Sequence, residues 1–444
     1  MAILTKDQAQ ALMKKVLSYS KADECEVNLN CTDAGNIRYA RNSVTTSGMT
    51  SQTQLVVASA YGKKLGIATI NEFDDASLEK VVRRSEELAQ LAPENPEYVP
   101  FLGPQTYDKT ETFIPATAAA TPKLRSDLVA ASLKTAKDAK AIAAGFLEDN
   151  TGYAAMMNSK GLFAYNTFTN TNFSVTVRTE DGKGSGYATR GYNDITKMDT
   201  KSATQIATEK AIKSATAKAI EPGKYTVILE PAAVAVLLEN IFFNMDARQA
   251  DEGRSFLSKP GGGNKLGEKM VDERVNIYSD PHNPELPTSS WTGDGRPQQK
   301  VSWIEKGVIK NLTWSRYWAE KQKVKGVPQP DGAIMEGGTK SLDELIKGTK
   351  KGVLVTRLWY IRSVDPQTLL LTGLTRDGTF YIEDGVIRYP IKNFRFNESP
   401  IIMLNNLEEL GRVERTVSVE SNVNYLLPPL KVRDFTFSSL SDAV

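Results

Sequence analysis

Three side chains make up all the imidazole and thiol groups in 444 residues: His282, Cys25 and Cys31. A zinc-peptidase helix needs two imidazoles about one turn apart, as in H-E-x-x-H, and a single histidine cannot supply them. A cysteine-based zinc site fails as well. Cys25 and Cys31 lie in one strand-like segment with no further thiol near them. Oxygen-ligand magnesium or calcium sites stay open, because carboxylates are abundant, but no D-x-[DN]-x-[DN]-G loop is present. His282 stands in a proline-bracketed loop, Ser279-Asp280-Pro281-His282-Asn283-Pro284. As a general base it would need a nucleophile, and no G-x-S-x-G elbow accompanies it. A loop-packing histidine is the plainer reading. Lys259 to Lys265 reads as a mobile flap without nucleotide-binding glycine spacing. The aromatic group Trp303, Trp314, Tyr317 and Trp318 suits core or interface packing better than ligand stacking.

These groups sit in a chain long enough for two or three domains of about 150 residues each. Hydrophobic residues make up 40% and charged residues 24%, the composition of an ordinary globular protein. Lys plus Arg total 55 against 53 Asp plus Glu, so the net charge of +2 gives no electrostatic case for direct nucleic-acid contact. Two cysteines cannot staple a chain this long, which fits a reducing compartment with small buried thiols. No basic segment followed by an apolar stretch opens the sequence, and the longest apolar run, Ala232 to Leu238, is far short of a membrane span. The expectation is a cytoplasmic protein without membrane contact.

The elements that must position any site show a duplication. Gly62-Lys63-Lys64-Leu65-Gly66-Ile67-Ala68-Thr69 and Gly182-Lys183-Gly184-Ser185-Gly186-Tyr187-Ala188-Thr189 share the pattern G-K-x-x-G-x-A-T. An alternating strand precedes each copy, Thr53 to Ala58 and Asn172 to Arg178. A polar loop and a helix follow, Ala76 to Leu91 and Lys201 to Ala217. The pattern predicts a hairpin with a Gly-Lys turn packed under one helix, twice over. It does not predict a phosphate loop, since the glycines lie between strands. Prolines at 93, 96, 100, 104, 115 and 122 mark the stretch between the copies as a linker or extended crossing segment. A helix from Lys123 to Ala144 opens the second copy.

Beyond Pro222 the texture changes. Tyr225 to Leu229 reads as a buried strand and Pro231 to Asp246 as a helix with proline in its first turn. Strands dominate afterwards, among them Arg274 to Ser279, Val353 to Ile361, Thr379 to Ile382 and Ile387 to Pro390. Asp294-Gly295, Asp377-Gly378 and Asp384-Gly385 read as turns. The expected class is α+β, with duplicated strand-hairpin/helix units in the N-terminal half and a strand-rich mixed or antiparallel sheet domain in the C-terminal half. The expected boundaries are 1–95, a Pro-rich linker over 96–122, 123–222, and 223–444.

In this order the motifs become a family pattern. Arg38-Tyr39-Ala40-Arg41-Asn42 through Gly66-Ile67-Ala68-Thr69 comes first. Ser290-Trp291-Thr292-Gly293-Asp294-Gly295-Arg296-Pro297 with Ile304-Glu305-Lys306-Gly307-Val308 follows. Then come Arg376-Asp377-Gly378 with Ile382-Glu383-Asp384-Gly385, and finally Pro428-Pro429-Leu430-Lys431-Val432-Arg433-Asp434. Over essentially its whole length the chain resembles the TldD/PmbA family, also labelled modulators of DNA gyrase. The last segment is similar to the PmbA (TldE) branch. TldD-type members carry H-E-x-x-x-H on a helix after a strand ending in Glu-Pro, and a C-terminal cysteine completes their metal site. The equivalent helix here follows Val227-Ile228-Leu229-Glu230-Pro231 and reads Glu239-Asn240-Ile241-Phe242-Phe243-Asn244. Glu239 and Asn244 take the two histidine positions, Asn240 takes the glutamate position, and no cysteine follows residue 31.

The resemblance therefore implies a metal-free TldE/PmbA-like subunit with no catalytic residues of its own. It would shape a peptide-binding cleft for a TldD-type partner that carries zinc. Glu239, Asn240 and Asn244 are the candidate cleft residues, with His282, Asp294 and Arg248 as further cleft or loop candidates. Asn240 and Asn244, one turn apart, fit equally well a polar seam within the helix. Arg248 heads a cluster with Asp251, Glu252 and Arg254 that suits partner contact or loop anchoring. Two alternatives stay open: a stand-alone hydrolase of the same family, and a non-catalytic homodimer that binds peptides or unfolded protein.

Overall fold

Residues 3–441 are described by a computed structural model. The N-terminal half begins with α1 (Lys6–Ser18), β1 (Glu24–Ala40), β2 (Ser43–Tyr61), β3 (Lys64–Ile70) and α2 (Asp75–Leu91). After the proline-rich segment and the short α3 (Pro115–Ala118), the plan repeats as α4 (Pro122–Asp138), β4 (Ala141–Asn158), β5 (Phe163–Thr179), β6 (Ser185–Tyr192) and α5 (Thr200–Ser214). The two units form one antiparallel six-stranded sheet in the order β3-β2-β1-β4-β5-β6, joined by the β1–β4 pairing.

In each motif the glycine that precedes x-A-T has a steric purpose. A Cβ on Gly66 would lie 2.2 Å from Ser85 O in α2, and one on Gly186 would lie 2.0 Å from Ala207 O in α5. Glycine is thus what lets each helix backbone rest directly on its strand. The first unit's core sets Val27, Leu29, Leu55 and Val57 against Met13, Val16, Leu78 and Val82. The second sets Ala143, Leu147, Val175 and Val177 against Val129, Ala136, Ala207 and Ala211. Each fully buried Val, Leu or Met side chain of these cores contributes about 1.5–3 kcal/mol.

The C-terminal half contains β7 (Gly223–Leu229), α6 (Pro231–Phe243), α7 (Ala247–Asp251), β8 (Ile277–Ser279), β9 (Val301–Glu305), β10 (Val308–Ile309), α8 (Arg316–Gln322), β11 (Ala333–Met335) and α9 (Leu342–Lys347). It continues with β12 (Lys351–Asp365), β13 (Leu370–Glu383), β14 (Val386–Pro390), β15 (Phe394–Glu398), α10 (Pro400–Asn405), β16 (Leu407–Leu410), β17 (Glu414–Val417), β18 (Asn424–Leu427) and β19 (Leu430–Leu440). One mixed sheet runs β10-β9-β8-β11-β18-β17. The other runs β12-β7-β19-β15-β13-β14, and β12 also pairs with β13, closing a ring. The largest core fills the space around α6, with Trp303, Phe394, Phe396, Phe435 and Phe437 almost wholly buried.

The crossing segment is tied down along its length. Asn95 N–H donates to Lys63 O at 2.9 Å in the first unit. The Tyr107 hydroxyl donates to Gly295 O at 2.6 Å, and Arg316 to Pro100 O at 2.5 Å, in the C-terminal half. Thr169 N–H donates to Thr112 O at 2.9 Å in the second unit.

Several local expectations change. The helix predicted over Lys123 to Ala144 stops at Asp138. Ala141 to Ala144 pair with Thr179 to Thr176 as the start of β4, so sheet pairing overrides alanine's helix preference. Of Arg274 to Ser279 only the last three residues are strand; Arg274 is instead held in a loop by both oxygens of Asp272. Asp384-Gly385 does form a two-residue turn between β13 and β14, with φ of 50° and 76°. Asp377-Gly378 does not turn the chain. It is a bulge inside β13, with φ of 56° and 116°, opposite the irregular step between Val355 and Arg357.

Candidate functional site

α6 starts where Pro231 fixes the first turn, and Glu230 before it takes a 2.6 Å bond from Lys210 Nζ of α5. Its run of apolar residues is buried on nearly all sides, which fixes the helix deep in the C-terminal core. Glu239 is only 2% exposed. Its Oε2 accepts a 2.5 Å bond from Ser418 Oγ, and its Oε1 has no partner. Burial, with the Glu239 charge beside it, pushes the Tyr425 phenol well above its ordinary value. Asn240 Nδ2 donates to Val236 O at 2.7 Å and Asn244 Nδ2 donates to Asn240 O at 2.8 Å, so both amides return to their own helix.

These residues do not fit a zinc ion. A catalytic zinc takes three protein ligands from imidazole, thiolate and carboxylate groups. The one carboxylate on this face of α6 is sealed against Ser418, and the helix offers no imidazole. Cys25 and Cys31 are buried thiols of β1. Among the described residues no group of three His, Cys, Asp or Glu side chains is placed to hold a metal.

The other sequence candidates lie elsewhere. His282 is on an exposed loop with Nε2 3.8 Å from Asp108 Oδ2. Asp294 pairs with Arg296 at 2.8 Å and accepts from Thr292 Oγ1 at 2.6 Å. Burial raises the Asp294 carboxyl, but the Arg296 guanidinium and the Thr292 hydroxyl reverse this and hold it below its ordinary value. Arg248 grips both oxygens of Glu97 in the crossing segment at 2.8 Å each, and donates to Glu252 at 2.9 Å. These bonds tie the crossing segment to α7.

Two features were not singled out by sequence reasoning. The first is a cleft of about 610 Å³ between the open face of the N-terminal sheet and the Pro287–Gly293 loop. Asn28 and Asn30 of β1 and Asn166 and Asn170 of β5 face it, alternating with residues that point to the opposite side. Trp291 and Asp331 line the other wall. Burial pushes the Asp331 carboxyl up to about 6, partly opposed by Gln298, although the residue keeps exposed surface. Ser289, also on the wall, spends its hydroxyl on Trp291 O at 2.9 Å, and no imidazole lines the cleft. Side-chain amides offer donors and acceptors together, so the cleft can hold an extended polar chain, but it presents no paired nucleophile and base. Asparagine at same-face positions of a strand pattern, 28 and 30 and then 166 and 170, was the signal that could have revealed it.

The second feature grows from the bulge. Asp377 is 1% exposed and accepts from Arg357 Nε at 2.6 Å and from Ser185 Oγ, within the repeat motif. Arg357 stacks on Tyr187 at 4.0 Å, and Arg376 on Trp359 at 4.2 Å. This cluster binds the second unit to the strand ring, beside a cavity of about 540 Å³.

Comparison with known proteins matches this architecture. Residues 115–218 match the PmbA/TldA metallopeptidase central domain and residues 222–439 the PmbA/TldA metallopeptidase C-terminal domain. A metalloprotease of Methanothermobacter thermautotrophicus is 24% identical over 288 residues, 59% of this chain and 61% of the relative. A metalloprotease of Archaeoglobus fulgidus is 24% identical over 254 residues, 54% of this chain and 52% of the relative. The chain thus aligns with little more than half the length of these curated relatives. The fold is that of TldE from Thermococcus kodakarensis, with a TM-score of 0.85 at 19% identity over 97% of this chain and 99% of that one. A Thermotoga maritima protein described as a putative modulator of a DNA gyrase superposes equally well, with a TM-score of 0.85 at 18% identity, covering 97% of this chain and 100% of that one. With both domain matches falling on the second unit and the strand-rich half, the chain belongs to the PmbA/TldD metallopeptidase family.

Proposed function

We propose that this chain is the metal-free, TldE-like subunit of a two-chain cytoplasmic peptidase, holding extended peptide while a zinc-bearing TldD-type partner cuts it. The observation that carries this reading is α6. At the positions where the resemblance places the metal motif, it presents a carboxylate bonded to Ser418 and two amides bonded to their own helix. The fold shared with the protein described as TldE points the same way. So does the amide-lined cleft, whose chemistry suits peptide main chain and whose walls lack a nucleophile–base pair. Asn28, Asn30, Asn166 and Asn170 are then peptide-binding groups, and Glu239, Asn240 and Asn244 keep the degenerate helix packed.

The test uses the purified chain, a family member from the same genome that carries H-E-x-x-x-H, and their mixture. Zinc content and hydrolysis of an unfolded polypeptide are measured for each. The expected result is no stoichiometric zinc and no cleavage for this chain alone, with cleavage by the mixture exceeding that of the partner. Stoichiometric zinc with cleavage by the lone chain overturns the reading and favours a stand-alone hydrolase.

A further inference from the structure

A second, smaller pocket of about 240 Å³ adjoins the asparagine cleft, and Asn193 and Pro287 line both. Asn193 stands between them. Its Nδ2 donates to O of Thr169, a cleft residue, at 3.0 Å, and its Oδ1 accepts from Arg415 Nη2, in the pocket, at 2.9 Å. Sites for whole ligands measure about 300–1,000 Å³, so this pocket has room for one residue end rather than an extended chain. Pro284 and Pro287 give it a stiff wall, and the Tyr192 ring lies 5.7 Å from the Arg415 guanidinium.

Arg415 brings a positive charge into this pocket with no anion to meet it. Its Nη1 donates to Glu285 O, its Nη2 to Asn193 Oδ1, and its Nε to Asn424 Oδ1 at 3.4 Å. All three acceptors are neutral, and among the described residues Arg415 makes no ion pair. Burial pulls the guanidinium down to about 10, opposed by Tyr192 and by the Glu285 charge. The other charged groups of the pocket are engaged elsewhere. Lys109 meets Glu111 at 2.9 Å, and Lys197 meets Glu285 at 3.5 Å. His282 Nε2 is 3.8 Å from Asp108, and Asp194 accepts from N–H and Oγ1 of Thr196 at 2.9 and 2.7 Å. A desolvated charge is costly until it is paired. Neutral acceptors hold the fork in place and leave two of its five N–H groups unspent, the geometry that grips a carboxylate.

We propose that this pocket receives a carboxylate of the peptide lying in the adjoining cleft, paired with Arg415. This rests on the reading of the cleft as peptide-binding and adds what it selects. The carboxylate is either the peptide's C-terminus or an acidic side chain.

Isothermal titration calorimetry of the full chain tests this with four N-acetylated Ala/Ser peptides. One ends in a free carboxylate and one in an amide. The other two are amides with a single internal Glu or Gln. The expected result is that the C-terminal acid binds about ten-fold tighter than its amide, or the Glu peptide about ten-fold tighter than the Gln peptide. The first assigns the pocket to a C-terminus and the second to an acidic side chain. Arg415→Gln should abolish the preference, and Arg415→Lys, which keeps the charge without the fork, should retain part of it. The readout is a ratio between peptides on one protein. A variant that merely loosens the contacts to Asn193 and Glu285 weakens all four peptides together and leaves the ratio unmoved. Equal affinity for all four peptides overturns the proposal while the cleft reading stands, and so does a preference that survives Arg415→Gln. Binding of none of the four overturns both.

Discussion

The first and second units of the N-terminal sheet share the G-K-x-x-G-x-A-T hairpin, the strand order and a helix seated on glycine. They differ in what surrounds them. The second unit is engaged on several sides. Ser185 meets Asp377, Lys210 meets Glu230 at 2.6 Å, and Arg415 donates to Asn193 at 2.9 Å. A Cβ on Gly191 of β6 would lie 2.3 Å from Asn424 Oδ1, so the β17–β18 hairpin rests against that strand. The first unit keeps the seat of its helix but not this embedding, and Ser43 to Gln52 of β2 are exposed. Duplication supplied the same scaffold twice, and the difference lies in a few side chains on its outer surfaces.

Four experiments would break or sharpen that contrast. The largest effect is expected from Asp377→Ala, which leaves the Arg357 guanidinium buried without its carboxylate. Removing one member of such a pair costs about 3–5 kcal/mol. Denaturant unfolding should show this loss, with proteolysis opening first between β6 and β13. Gly66→Ala and Gly186→Ala come next. Each added methyl meets helix backbone at 2.0–2.2 Å, and overpacking of this kind costs about 1–3 kcal/mol. Similar losses of Tm would sharpen the equivalence of the two seats; tolerance at one alone would break it. Thr112→Val should cost about 1 kcal/mol by removing the bond to Thr167 O. It should also speed amide exchange near Thr169, with no counterpart in the first unit.

The smallest effect lies in the cleft both units face. Asp331, raised from 3.8 to about 6, is more readily protonated in the folded state. Its contribution to stability is therefore full below about pH 4 and fades as pH rises through about 6. Asp331→Asn should flatten a slight decline of Tm across that window. An unchanged slope would show that the carboxyl titrates alike in both states.

The duplication was legible because glycine at the helix seat is irreplaceable and so leaves the same letters twice. The long strands β1 and β4 were harder to read. Runs such as Ala141 to Ala144 carry helix-forming side chains, and only pairing with β5 makes them strand. Asp377-Gly378 shows a subtler limit. Its left-handed backbone suits a turn or a bulge equally, and the choice depends on Thr356 and Arg357 opposite, far along the chain. At the candidate site, the missing metal ligands were visible as residue types. The burial of Glu239 was not, because Ser418 comes from a distant hairpin. The asparagine cleft escaped notice because its four amides come from two strands that only folding aligns.

The crossing segment contacts the first unit through Lys63, the strand-rich half through Arg248, Arg316 and Gly295, and the second unit through Thr169. A tether bonded to all three bodies couples their melting, so calorimetry should record one concerted endotherm where three loosely strung modules would give several. A single backbone nick within it would leave the fragments associated, like a buckle that stays shut after its strap is cut.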